Sequence, residues 1–174
     1  MFTEARSSFG KRTCLAWFAV RTGALAAAYV SAVVAVTTLS HLPALAMSFA
    51  SSAILLAAQP DTAAARPQAL IGGHMIAALC GWAVGSLVGD GVTGVAVAIG
   101  AAAVLMQVTG TLHPPAAVSG YLMLNQPEHW TWLLFPILCG AILLSVLGHL
   151  ARRLVPATPV ELCRLRAAGT GRSI

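Results

Sequence analysis

The sequence predicts an all-α membrane protein: a compact bundle of four full spans and two short broken or half helices. Of its 174 residues, 58% are hydrophobic and only 9% are charged, whereas soluble domains carry roughly 25% charged residues. The mean hydropathy is +0.83. Four apolar segments are near the ~20 residues that a helix needs to cross a bilayer. The chain has room for one helical bundle but not for a further soluble domain of ordinary size.

Hydropathy and length separate the apolar segments into two classes. The long ones are predicted at 16–39, 68–88, 91–109 and 131–151. The short ones run from about Ala46 to Ala58 and from about Pro115 to Asn125. At ~1.5 Å per residue, a short segment covers only part of a ~30 Å hydrocarbon layer. We therefore expect four spans and two half-helices, each half-helix preceded by irregular backbone.

The second irregular stretch contains a paired proline, in the run Thr109-Gly110-Thr111-Leu112-His113-Pro114-Pro115. The prolines prevent the preceding residues from continuing a helix, while Pro115 is well suited to open the next one. Broken backbone with an ionisable histidine beside it is tolerated in a membrane only where protein or a water-filled cavity surrounds it. This pattern predicts a transport site.

The two short segments also resemble each other. Residues 48–60 can be laid over 115–127, and both end in Gln-Pro, at Gln59-Pro60 and Gln126-Pro127. Interrupted helices at corresponding positions of an internal repeat are typical of a transporter's binding site. We predict an inverted repeat of three elements, with halves at about 16–88 and 91–151.

Two topologies remain open at this point. If the short segments cross the membrane with their lead-ins, the halves are inverted, Arg66 is cytoplasmic, and Asp90 and Glu128 lie outside. If they are re-entrant, the halves are parallel and Arg66 lies outside. The positive-inside rule slightly favours the first.

The charge of the chain, +5, is concentrated at its ends. We expect a basic cytoplasmic N-terminus at 1–15, a transmembrane domain at 16–151 and a basic cytoplasmic tail at 152–174, in the cell (inner) membrane. Basic clusters beside spans are more typical of topology signals than of nucleic-acid binding, so no nucleic-acid partner is expected.

In the inverted arrangement, both short helices begin near the midplane and their N-terminal N–H groups converge. Such groups form an anion site without any Lys or Arg, although the same geometry also suits a neutral permeant. The candidate pathway residues are His113, Pro114, Pro115, Thr109, Thr111, His74, Ser51, Ser52 and Ser119.

The histidines also have structural alternatives. His113 could cap the short helix instead of lining a pathway, and His74 could bond a neighbouring carbonyl within the small-residue face of its span. His41 precedes the other break, whereas His129 and His149 lie near the predicted interfaces. No metal or cofactor is expected, because no HxxxH or HxxE pattern exists. The cysteines, which show no CxxC spacing, are Cys14, Cys80, Cys139 and Cys163.

Small residues recur at helical spacing on two spans. One row is Gly81, Gly85 and Gly89, and the other is Gly23, Ala27, Ser31 and Ala35. Such rows let helices approach closely, either within one chain or between subunits. The small size of the chain also leaves a homo-oligomer open.

Three parts of the sequence together resemble the HPP family of integral membrane proteins. They are the run 109–117, the stretch 48–53, and Ala65-Arg66-Pro67-Gln68 followed by Gly72-Gly73-His74. The resemblance covers roughly 16–151. Members of that family in plastids and cyanobacteria are associated with nitrite transport, so the resemblance implies a small-anion transporter.

The functional expectation is a multi-pass transporter or channel for a small inorganic anion, nitrite first, with its site at the midplane between the N-termini of the short helices. The alternative is a structural or signalling membrane module that transports nothing. An enzyme is disfavoured, because the spans hold no carboxylate pair, no nucleophile with an evident base and no cofactor fingerprint. The expected partners are the small anion and the lipid bilayer.

Overall fold

The computed structural model describes residues 2–39, 44–125 and 130–154, with side chains at 15–39, 46–125 and 134–154. These residues form six α-helices and two 3₁₀ helices. The α-helices are α1 (Phe2–Leu39), α2 (Ala44–Ala58), α3 (Pro67–Leu87), α4 (Val92–Thr109), α5 (Ala117–Leu124) and α6 (Trp130–Leu154). The 3₁₀ helices are Ala63–Ala65, before α3, and Pro114–Ala116, before α5.

Among the described residues, four helices are long and apolar enough to cross a membrane. These segments are Leu15–Leu39, Pro67–Leu87, Val92–Thr109 and Leu134–Leu154, which confirms the four predicted spans. The predicted short segments correspond to α2, with 15 residues, and α5, with 8. The helix α1 begins at Phe2 and runs without a break through the predicted boundary at 15/16.

Several sequence predictions fall on residues that the structure does not describe. His41, Glu128, His129 and the tail from 155 to 174 lie outside the described residues, as does the Cys14 side chain.

The break between α4 and α5 is built by one glycine and two prolines. Gly110 has φ +69, in the left-handed region that favours glycine. The Thr111 amide reaches back to the Met106 carbonyl at 2.9 Å, which is the bond of a Schellman helix end. Pro114 then opens the 3₁₀ helix that leads into α5. The chain therefore passes from the end of α4 to the start of the 3₁₀ helix within five residues, and the break lies where it was predicted.

Glycines on α3 bring its backbone against α5. A Cβ built on Gly81 would collide with the Gly120 carbonyl, and one on Gly85 would lie 2.5 Å from the Leu124 carbonyl oxygen. Gly73 lies beside His113, before α5 begins. Residues later in α3 contact residues later in α5, so the two helices run in the same direction. The glycine row thus packs within the chain, although Gly89 lies beyond the end of α3, in a turn with φ +95.

A second pair of helices is formed by α2 and α6. Gly140 lies against the Phe49 ring and Gly148 against the Leu56 side chain, so these two helices also run in the same direction. The C-terminal end of α6 meets the start of α3, where Arg152 Nη2 donates to the Ala65 carbonyl at 3.0 Å. The α2–α6 pair therefore runs opposite to the α3–α5 pair.

These directions bear on the two topologies left open by the sequence. The short helices α2 and α5 run in opposite directions, as inverted halves require, whereas parallel halves would give them the same direction. The internal repeat itself stays a prediction. The second row of small residues, on α1, is exposed at Gly23, Ala27, Ser31 and Ala35.

Candidate functional site: a buried histidine–serine network

Five polar side chains from four parts of the fold meet in the interior between the two helix pairs. Each has an exposed fraction of 0%. They are Ser48 and Ser52 on α2, His74 on α3, His113 in the break, and Ser119 on α5. We call this set the His–Ser network. A buried polar group is costly unless it is hydrogen bonded, and each of these five side chains has a partner.

The centre of the network is the Ser52 hydroxyl. Its oxygen lies 3.0 Å from His74 Nε2 and 2.9 Å from His113 Nε2. On its other side, His74 Nδ1 lies 2.8 Å from the Ser119 hydroxyl. The Ser119 hydroxyl in turn lies 2.5 Å from that of Ser48. The five side chains therefore form one unbranched chain of hydrogen bonds.

The far end of the network is fixed by backbone. His113 Nδ1 lies 2.7 Å from the Ala64 carbonyl oxygen, in the 3₁₀ helix before α3. The next carbonyl, that of Ala65, accepts a hydrogen bond from Arg152. Two successive carbonyls of this short helix are therefore held from different directions, one by the network and one by α6.

The structure also bears on whether His113 caps the short helix. Its imidazole makes no capping hydrogen bond, because both ring nitrogens are engaged by Ala64 and Ser52. The cap is made by backbone instead, since the Ala116 amide donates to the His113 carbonyl at 3.0 Å. The side chain of His113 is thus committed to the network.

His74 likewise bonds side chains and not the neighbouring carbonyl that its structural alternative invoked. Its ring packs against aromatic and imidazole surfaces. The Phe49 ring centroid lies 4.8 Å away and that of His113 lies 5.2 Å away. Phe49 is itself fully buried, so the network has an apolar wall on the α2 side.

The remaining candidate residues lie outside the network. Ser51 and Thr109 are exposed, and their hydroxyls bond the carbonyls of Ser48 and Leu105, respectively. The hydroxyls of Thr109 and Thr111 also lie 2.8 Å apart. Thr111 is half-buried, with its side chain against Gly72. The prolines, Pro114 exposed and Pro115 half-buried, shape the backbone of the break.

Two groups of the site, the Ser48 hydroxyl and the Ala64 carbonyl, were not among the candidates predicted from sequence. Ser48 lies one helical turn before Ser52, so both hydroxyls project from one face of α2. That spacing was a usable signal. The Ala64 carbonyl, in contrast, has no side-chain signature, because any residue at that position would supply the same oxygen.

The ionisable residues of the described chain do not form a metal site. No group of three or more His, Cys, Asp or Glu side chains comes together there. Within the His–Ser network, the two imidazoles carry the basic nitrogens, and the three serines carry hydroxyls that can both donate and accept. The arrangement can therefore hold a continuous chain of hydrogen bonds.

Four apolar helices of spanning length around a buried polar network define a multi-pass membrane protein. The chain belongs to the HPP family, since it matches the family described as "HPP, transmembrane region" over residues 9–160.

Comparison with curated proteins finds a relative in Dictyostelium discoideum that is described as a transmembrane protein. The two sequences are 30% identical over an alignment of 118 residues, and the alignment covers 61% of this chain and 41% of the relative. The chain thus matches less than half the length of that relative. No solved structure matches this chain.

Proposed function

We propose that this protein is a transporter or channel for a small inorganic anion, nitrite first, in the cell (inner) membrane, with both termini cytoplasmic. The observation that carries the proposal is the meeting of two short, oppositely directed helices at a buried polar site. Ser48, in the second turn of α2, bonds Ser119, in the first turn of α5. Two histidines complete the site.

The chemistry of this meeting point suits a small anion. Helix N-termini present unpaired N–H donors and a partial positive charge of about +0.5. Serine hydroxyls and imidazoles can turn donors towards a bound oxyanion. The network contains no Lys or Arg, so an anion would be held by neutral donors and partial charges, which suits a site that must also release it. The resemblance to HPP proteins associated with nitrite transport is the reason for placing nitrite first.

The burial of the network favours a transporter that changes conformation. All five network side chains are fully buried, so an anion reaches them only after helices separate. The α2–α6 pair carries Ser48 and Ser52 on one side, while α3, α5 and the break carry the other three residues. Relative movement of these two sides would open the site, in the manner of alternating access.

One observation favours the alternative of a structural module. The hydrogen bonds of the network are complete without any ligand, as they would be in a core that serves only stability. The two functions differ in what removal of His113 does to flux in a folded protein.

The deciding experiment measures initial nitrite uptake into proteoliposomes that contain only this protein, with uptake by protein-free vesicles subtracted. Wild type should exceed the background, and His113→Ala should fall to about a tenth of the wild-type rate or less, as expected when a bond worth about 1.4 kcal/mol is lost. His149→Ala, at an exposed histidine of α6, is the matched control. Wild-type flux equal to that of protein-free vesicles would favour the structural module.

A further inference from the structure

We propose that the His–Ser network is an oriented proton path and that a proton crosses together with the anion. The tautomers of His74 and His113 follow from hydrogen-bond geometry alone, whereas the coupling to an anion rests on the proposed function. Proton co-transport makes the proton a second substrate of the same site.

The orientation of the network begins at its backbone end. The Ala64 carbonyl oxygen can only accept a hydrogen bond, so His113 Nδ1 must carry a hydrogen and donate it. In a neutral imidazole the other nitrogen, Nε2, is then an acceptor. Ser52 therefore donates its hydroxyl hydrogen to His113 Nε2.

The remaining bonds follow from this first assignment. Because Ser52 has one hydrogen and has donated it, its oxygen accepts from His74 Nε2, which must carry a hydrogen. His74 Nδ1 is then an acceptor and receives the hydrogen of Ser119. Ser119 in turn accepts from Ser48. The two histidines are thus opposite tautomers, with Nδ1–H on His113 and Nε2–H on His74.

A chain of this kind moves a proton in one direction. A proton donated by a hydronium ion to the Ser48 lone pair that the network leaves unused, with water left behind, releases Ser48's own hydrogen to Ser119, and Ser119 passes its hydrogen to His74 Nδ1. His74 is then a cation with hydrogens on both nitrogens. When its Nε2 hydrogen moves to Ser52 and that of Ser52 moves to His113 Nε2, His74 is neutral again and the charge rests on His113.

Within the network, the proton is most stable on His113. Its Nδ1–H bond to Ala64 becomes charge-assisted when the ring is cationic, and such bonds are stronger than neutral ones. The proton goes no further in this conformation, because a carbonyl oxygen does not pass it on. Release requires His113 and the 3₁₀ helix of Ala64 to separate, which is a change of conformation.

Few other ionisable groups surround the network. The helices α2 and α4 carry none among their described side chains. The titratable and charged side chains on the other described elements of the bundle are Arg21 and Tyr29 on α1, Cys80 on α3, Tyr121 on α5, Cys139, His149, Arg152 and Arg153 on α6, and Asp61 and Arg66 beside the 3₁₀ helix. Arg152 is linked to the network through backbone, since it bonds the carbonyl that follows Ala64.

The coupling to an anion follows from charge. One proton on the two imidazoles gives a site with no Lys or Arg a single positive charge. A monovalent anion beside it forms a neutral pair, and a neutral pair is far cheaper to hold away from water than either ion alone. Anion and proton therefore favour each other's binding, which is the condition for symport.

The tautomers are tested by ¹⁵N NMR of histidine-labelled protein in lipid nanodiscs at neutral pH. We expect His113 to be protonated at Nδ1 and His74 at Nε2, and Ser52→Ala to shift the Nε2 signals of both. Ser145→Ala, which removes a half-buried hydroxyl bonded within α6, should shift neither. The same tautomer at both histidines would overturn the oriented path, whatever the protein transports.

The coupling is tested with a pH-sensitive dye inside proteoliposomes. An inward nitrite gradient should acidify the lumen at the rate of nitrite entry, after subtraction of the nitrous-acid leak measured in protein-free vesicles. Ser52→Ala should lower this acidification about tenfold, Ser52→Thr should restore it because it keeps the hydroxyl, and Ser145→Ala should not lower it.

The outcomes separate the two proposals. Protein-dependent nitrite entry without acidification would overturn the proton coupling and leave anion transport standing. Absence of nitrite entry under all conditions would overturn anion transport and the coupling with it, while the NMR result would still decide the tautomers.

Discussion

Gly73 and His113 are packed so closely that a side chain at position 73 would displace the histidine. A Cβ built on Gly73 would lie 2.7 Å from His113 Cβ, closer than real Cβ atoms approach. It would also lie 3.1 Å from the Thr111 carbonyl oxygen. Because position 73 of α3 carries no side chain, the His113 imidazole can lie against Ala64 and Ser52.

Gly73→Ala should therefore push His113 out of the network. We expect the free energy of unfolding to fall by about 1–3 kcal/mol from overpacking, and nitrite uptake to fall with it. The measurements are thermal unfolding in detergent and uptake in proteoliposomes. Gly100→Ala is the control: nothing lies within 4 Å of its Cβ, and alanine there should stabilise the helix by about 0.5–1 kcal/mol. Equal stability of the two variants would contradict the close contact.

His74→Ala should lower uptake as strongly as His113→Ala. Although the sequence left a structural alternative open for His74, its imidazole lies between Ser52 and Ser119 at the middle of the hydrogen-bond chain. Its loss interrupts the chain, because Ser52 keeps only its bond to His113 and Ser119 keeps only its bond to Ser48. Uptake by the folded variant, normalised to protein incorporated, is the measurement. A variant that transports at the rate of His149→Ala would show that His74 is dispensable.

Gly85→Leu should separate α3 from α5. The added side chain would meet the Leu124 carbonyl, and backbone cannot rotate away as a flexible side chain can. We expect a loss of about 1–3 kcal/mol, seen as a lower unfolding temperature in detergent. Because this contact lies within one chain, the oligomer distribution of the remaining folded protein should not change. Gly100→Leu, at an exposed position where nothing lies within 4 Å of a Cβ, should not lower stability.

Arg152→Ala should loosen the junction of α6 with the start of α3. The hydrogen bond from its guanidinium to the Ala65 carbonyl would be lost, at a cost of about 1 kcal/mol for a partly solvated bond. Since Ala65 adjoins Ala64, hydrogen exchange at the amides around the 3₁₀ helix should also become faster. Arg153→Ala, at the exposed neighbouring arginine, serves as the comparison and should change exchange there much less.

Arg66 and Asp90 should label from opposite sides of the membrane. They flank α3 at its two ends, and α3 is long enough to span. With the cysteines of the chain replaced by serine, a membrane-impermeant thiol reagent should reach Arg66→Cys from the cytoplasm and Asp90→Cys from outside. Labelling of both positions from one side would contradict a crossing by α3.

Much of the fold could be predicted from sequence, because its determinants are local. The four spans follow from apolar length, and the break follows from Gly110, Pro114 and Pro115, whose backbone preferences do not depend on distant residues. The positions of both short helices were also predicted. The close approach of α3 to a neighbour followed from Gly81 and Gly85.

The site was less accessible to sequence reasoning, because it depends on which way each short helix faces. Ser51 and Ser52 are adjacent, so they point about 100° apart around α2, and only Ser52 reaches the histidines. A helix as uniformly apolar as α2 has no amphipathic pattern that would distinguish its inner face. His113 could be chosen from its place beside the break, but its contact with Ala64 joins residues that are far apart in sequence and required the fold itself.

The seam between the two helix pairs sets how the protein should respond to temperature. Three side-chain hydrogen bonds cross from α2 to the opposite side, joining Ser48 to Ser119 and Ser52 to His74 and His113. In an apolar medium an amide–carbonyl hydrogen bond is worth about 4–6 kcal/mol, and these three bonds are likewise far stronger in an apolar interior than in water. Opening the seam breaks all three before water can replace them. The separation of the helix pairs that we propose for transport should therefore have a large activation enthalpy. Cooling should keep the site closed while the helices remain fully folded.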